Sequence, residues 1–133
     1  MVVEHSDSTV SMTRLERATR YDRPGQVSRK DGTMTLRHVV MWKVAGDTDE
    51  ERAAVTAEFR DRLLALPSQI DVIRSFEVGV NDAGGVDNYD VVLVSEFDDE
   101  DALQAYITHP VHQEVVAFVR ANTVGRAGVD HTI

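Results

Sequence analysis

Four residues in this sequence are of types that move protons, and they stand where a fold could gather them: His38, Tyr106, His112 and Asp130. Tyr106 and His112 flank a break, Tyr106-Ile107-Thr108-His109-Pro110-Val111-His112, in which Pro110 ends one helix and can open the next. His109 and His112 bracket that proline, so the turn could aim both rings toward one region. Imidazole is the side chain that titrates near neutrality, which suits it to general acid and base work. His38 shares a strand face with Leu36, Val40, Trp42 and Val44. This apolar setting suits a neutral imidazole acting as proton acceptor. Asp130 lies in a strand between Val129 and His131, a poor place for an unpaired carboxylate, and is expected to pair with a histidine. A carboxylate that accepts an imidazole N–H fixes the tautomer and strengthens the other nitrogen as a base.

Each of these residues also has a plainer use. His38 can be a core histidine satisfied by a backbone carbonyl, Tyr106 can fill core beside Leu103 and Ile107, and His109 can cap the helix that follows it. The pair Asp130–histidine can be a structural hydrogen bond. A metal would need three or four convergent ligands, and with no cysteine and no further spaced ligand signature none is expected, nor is any other cofactor. The acidic run Asp98-Asp99-Glu100-Asp101 reads as a solvated helix cap rather than a calcium site. The glycines between Gly79 and Gly85 lack a phosphate-loop motif and read as a hairpin loop.

The elements that must position these groups follow from patterning. At 133 residues, with hydrophobic residues at 42%, the chain has material for one core. The first 33 residues form a polar extension, and residues 34–133 a single domain. In the extension Arg14, Arg17, Arg20 and Arg23 recur every third residue, as one or two basic helical turns or as a solvated stretch. Met34, where the patterning begins, is a candidate translation start. Leu36–Val44 is apolar on both faces and reads as a central strand. Thr48 and Glu51 form a capping box, opening a helix with the stripe Val55, Phe59, Leu63 and Leu66 that Pro67 stops. Val72–Gly79 and Tyr89–Phe97 read as antiparallel strands around Asn81, Asp82, Gly84 and Gly85. Asp98 or Asp99 caps a short helix ending near His109. Pro110 opens a third helix that turns Val111, Val115, Phe118 and Val119 inward, and Gly125–Ile133 closes the chain as a strand.

The order βαββαβ is the ferredoxin-like plan, an α+β fold with one antiparallel sheet and helices on one face. Val39, Met41, Val92 and Val94 are then left on the other face, and a second copy of the sheet is the simplest cover, so a homodimer is expected. The charge is uneven. The first 33 residues carry 6 Lys and Arg against 5 Asp and Glu, leaving 8 against 18 for the remainder. So acidic a body disfavours nucleic acid and anionic membranes as partners. No apolar run reaches the ~18 residues of a bilayer span and no secretory signal pattern opens the chain, which places the protein in the cytoplasm.

On these residues the chain resembles the stress-responsive dimeric α/β barrel (Dabb) proteins, over about three quarters of its length. The resemblance is carried by Arg37-His38-Val39-Val40-Met41-Trp42-Lys43, Phe76-Glu77-Val78-Gly79, Ser95-Glu96-Phe97, the Tyr106–His112 segment and Val129-Asp130-His131, in that order. A plant polyketide (olivetolic acid) cyclase within that family is similar over the same segments. This resemblance implies a pocket in which His112 is general base, Tyr106 is its helical partner, His38 is the first-strand histidine and Asp130 is the acid that supports the histidine.

The expected activity is a cofactor-independent cyclase or lyase acting on a small, largely apolar carbonyl or polyketide-like compound. The alternatives are a non-catalytic stress-responsive ligand-binding or structural dimer, and a haem- or oxygen-dependent monooxygenase-type barrel.

Overall fold

The computed structural model describes residues 20–22 and 34–133. Its elements in chain order are β1 (Arg20–Asp22), β2 (Leu36–Val44), α1 (Asp49–Leu64), β3 (Ser75–Val80), β4 (Val91–Phe97), α2 (Glu100–Ile107), α3 (Pro110–Ala121) and β5 (Thr123–Thr132). The strands form one antiparallel sheet in the order β1-β3-β4-β2-β5, the ferredoxin-like plan with a short extra strand at one edge.

Local chemistry sets the helix ends. Thr48 Oγ1 accepts from Glu51 N at 3.1 Å, and Glu51 Oε1 reaches back to Asp47 N at 2.8 Å, one residue beyond the usual return bond of a capping box. Asp99, rather than Asp98, caps α2 by accepting from Ala102 N at 2.9 Å. Asp98 instead pairs with Arg74 at 2.9 Å, so the acidic run is divided between a cap and an ion pair. Pro110 sits in the first turn of α3, where its missing N–H costs nothing.

Strand alternation divides the sheet into two unlike faces. Leu36, Val40, Trp42, Phe76, Val78, Leu93 and Phe97 lie under the helices and are nearly dry. Trp42 meets Phe59 of α1 with ring centroids 4.9 Å apart. Burying a ring such as Phe59 contributes about 1.5–3 kcal/mol. On the opposite face Val39, Met41, Val92 and Val94 are only half-buried, and Val129 is 61% exposed. The described helices leave that face bare.

Three strands differ in their bounds from the sequence reading. β3 starts at Ser75 rather than Val72, because Asp71 and Val72 lie in a turn whose Ile73 is buried without joining the ladder. β4 starts at Val91 rather than Tyr89, and β5 runs Thr123–Thr132 rather than Gly125–Ile133. Within the extension, Arg20–Asp22 is a strand paired to Ser75–Glu77, with Tyr21 packed against the core and Arg20 Nη1 2.9 Å from Glu77 Oε1. Arg20 therefore belongs to no helical turn, whereas Arg14, Arg17 and Arg23 lie outside the described residues. So polar a three-residue strand owes its conformation to the edge it joins rather than to its own pattern.

Candidate functional site

The site begins with one row across the sheet. Phe76 stands beside Ser95, Ser95 beside His38, and His38 beside Asp130, all on the helix face. His38 is 8% exposed, and its Nδ1–H donates to Asp130 Oδ1 at 2.5 Å. The acid is the more open partner, with 49% of its side chain exposed against 10% for the imidazole, because β5 is an edge strand whose outer half no helix overlies. A carboxylate so placed keeps the hydrogen on Nδ1 and leaves Nε2 as the nitrogen available to a ligand.

Above this row the α2–α3 break delivers the other two groups. Tyr106 projects from α2 and is 1% exposed. Its ring centroid lies 4.3 Å from that of His112, 6.2 Å from that of His38 and 5.0 Å from that of Phe97. Burial pushes the phenol well above its ordinary range, so Tyr106 is a neutral hydrogen-bond donor at any physiological pH. His112, in the first turn of α3, donates Nδ1–H to the Ile107 carbonyl at 2.9 Å, a group that the end of α2 leaves free. Burial lowers its pKa from 6.5, against the bond to Ile107, and the neighbouring His38 and His109 lower it further. His112 is thus neutral near pH 7, with Nε2 unprotonated.

Together His38, Tyr106 and His112 line one pocket of about 410 Å³ between the sheet and α3. Val40, Trp42, Leu93, Val115 and Val119 supply apolar walls. Asp130 is not among the lining residues and acts on the pocket through His38. The sequence reading also allowed Asp130 to position His112, and here it is corrected. The acid is bonded to the strand histidine, and a backbone carbonyl holds the helix histidine. His109 faces neither: its Nδ1 accepts from Val111 N at 3.1 Å and caps α3. Among the described residues no three of His, Cys, Asp and Glu converge as a ligand set for a metal.

Two charged lining residues went unnoticed in the sequence, Arg120 at the end of α3 and Arg126 on β5. Strand alternation could have found the second, since Arg126, Gly128 and Asp130 share one face of β5. Two larger or shallower depressions, near Arg60 and near Tyr89, contain none of the four candidate residues. No helix among the described residues is long and apolar enough to cross a membrane.

Comparison with known proteins follows the same outline. The stress responsive A/B barrel domain model, Dabb, matches residues 36–133. The Streptomyces coelicolor protein SCO4036 is 34% identical over 85 residues, 64% of this chain and 87% of its own. Among solved structures, a dimeric protein of ferredoxin-like fold from Bacteroides fragilis is 34% identical, with a TM-score of 0.68 over 74% of this chain and 96% of that one. A hydroxynitrile lyase from Passiflora edulis has the same fold at 12% identity, with a TM-score of 0.65 over 76% and 94% of the two chains. The chain therefore belongs to the stress responsive A/B barrel domain family.

Proposed function

We propose that this protein is a homodimeric enzyme, a cofactor-independent cyclase or lyase that moves protons on a small carbonyl or polyketide-like compound. One observation carries the reading: two histidines, each with Nδ1–H committed to an acceptor, flank a buried tyrosine in a single apolar pocket. Packing alone requires neither two fixed imidazole tautomers nor a phenol at the same cavity wall.

In this mechanism the Nε2 of His112 removes a proton from the carbon next to a substrate carbonyl. The electron pair moves onto the carbonyl oxygen, and the Tyr106 hydroxyl donates a hydrogen bond to the resulting oxyanion. The enolate carbon then attacks a second carbonyl of the same chain, and the new alkoxide takes its proton from the His112 imidazolium. The reverse sequence cleaves the same bond. His38, held through Nδ1 by Asp130, presents Nε2 to the pocket and orients the substrate by accepting a hydrogen bond from it. The dimer places two copies of the bare sheet face against each other, covering Val39, Met41, Val92 and Val94. The dimeric state of the Bacteroides fragilis relative supports pairing of two chains.

His112→Gln tests the reading, because glutamine keeps a polar group of similar reach and removes the base. With folding and dimer mass verified separately, turnover across a panel of polyketide-like and other carbonyl compounds should fall at least ~10²-fold, the usual contribution of a positioned base. Turnover that survives would sink His112 as the base. A folded wild-type dimer that binds compounds and turns over none would leave a ligand-binding protein.

A further inference from the structure

In the described part of this acidic domain, arginines mostly have carboxylate partners: Arg37 has Glu96, Arg62 has Glu58 and Arg74 has Asp98. Arg60, Arg120 and Arg126 have none among the described residues, and of these Arg120 and Arg126 line the pocket that holds His38, Tyr106 and His112. These two approach it from different elements, one from the end of α3 and the other from β5.

The placement of Arg126 is informative. It stands opposite Trp42, one row from Val40–Gly128 and two rows from His38–Asp130. A Cβ at Gly128 would lie 3.5 Å from both Nη1 and Nη2 of Arg126, so the guanidinium lies back along β5 over the glycine, in the direction of the His38 row. Asp130, the same-face carboxylate beyond Gly128, is engaged by His38. The guanidinium is thus left with its planar fork of donors unused at the pocket wall, where a bidentate partner would suit it.

We propose that the pocket takes a substrate bearing a carboxylate, held by Arg126 and Arg120, with its apolar chain along Trp42 and Val119 and its reacting carbonyl at Tyr106 and His112. This assignment rests on the reading of the pocket as a carbonyl site and adds the substrate class. The two arginines select for the anion and hold the chain in one direction. The histidines, neutral or paired, then meet the carbonyl end rather than the charged end.

The test uses octanoate and octanamide as matched probes, titrated into the full-length protein at pH 7 and low salt and followed by nuclear magnetic resonance shifts. Wild type should bind octanoate about tenfold or more tightly than octanamide, since charge-assisted bonds at an exposed rim fall at the low end of their range. In the double variant Arg120→Gln, Arg126→Gln the preference should vanish while octanamide affinity is kept, and Arg126→Lys should retain part of it. His112→Gln should leave the preference intact. Equal affinities in wild type, a preference that survives the double variant, or no binding of either probe up to its solubility would overturn the assignment. The two readings separate cleanly. If the preference is absent yet turnover still depends on His112, the carboxylate site fails and the chemistry stands. If the preference is present yet turnover ignores His112, the chemistry as assigned fails and the carboxylate site stands.

Discussion

The two faces of the sheet are built from the same strands, yet one carries the candidate site and the other does not. On β2, Val40 and Trp42 turn to the helices while Val39 and Met41 turn away, and only the first pair lines the pocket that holds His38, Tyr106 and His112. The helix face is completed within the chain. Its interior is dry enough to fix tautomers and to lower the pKa of His112, and its few polar groups find partners. The opposite face has Arg37 and Glu96 paired on it, 2.9 Å apart, with Val39, Val94, Met41 and Val92 in the rows beyond, and nothing from the described residues covers it. A face that is closed by its own helices can hold a reactive group in one orientation. A face that waits for a second copy is better kept apolar and unreactive.

A paired substitution is the strongest way to break this comparison. Phe97→Ala, on the helix face, should lose about 3–5 kcal/mol in denaturant unfolding, because a fully buried ring leaves a cavity. Val94→Lys, on the same strand β4 but on the bare face, should leave each protomer folded and instead convert dimer to monomer by light scattering, raising the dissociation constant about 10²-fold or more, since two ammonium groups would be desolvated at the interface. Equal loss of folding in both variants would erase the distinction between the faces.

Titration sharpens the comparison, because the lowered His112 pKa is a property of the helix face alone. A histidine whose folded-state pKa is below its unfolded value contributes stability that is present in full above about 6.5 and is lost as pH falls through the lower folded-state value. Thermal melting should therefore decline on acidification through that window, His112→Gln should flatten part of the decline, and the acid limb of turnover should have its midpoint below 6.5. A midpoint above 6.5 would assign the limb to another group.

The smallest effect is expected from the edge. Starting the chain at Met34 removes β1, and with it the Tyr21 contact and the exposed Arg20–Glu77 pair. A loss of about 1 kcal/mol, a few degrees in melting temperature, is expected for a three-residue strand on a domain of this size. An unchanged melting temperature would show that β1 adds nothing to the stability of the sheet.

What the sequence made legible was chiefly local. Thr48, Asp99 and Pro110 announce helix starts through chemistry confined to a few residues, and the α2–α3 break that brings Tyr106 near His112 follows from one proline. The pairing of Asp130 was only half legible. Its need for an imidazole follows from the cost of an unpaired carboxylate, but the choice between His38 and His112 depends on strand register. Arg120 and Arg126 were missed because an arginine gives no sign of lacking a carboxylate until its neighbours are placed. β1 was missed because no local pattern marks a polar three-residue edge.

The His38–Asp130 bond joins residues 92 apart, and among the described residues β5 has β2 as its only neighbour in the sheet. β5 can dock only on a β2 that is already in place. Closing so long a segment costs chain entropy that no nearby contact recovers beforehand, a topology that slows folding. On this topology the acid that orients the strand histidine is expected to arrive late in folding, and partly folded chains would then hold His38 without its carboxylate. Reactivity of this pair toward an imidazole-directed reagent would then serve as a clock for completion of the fold.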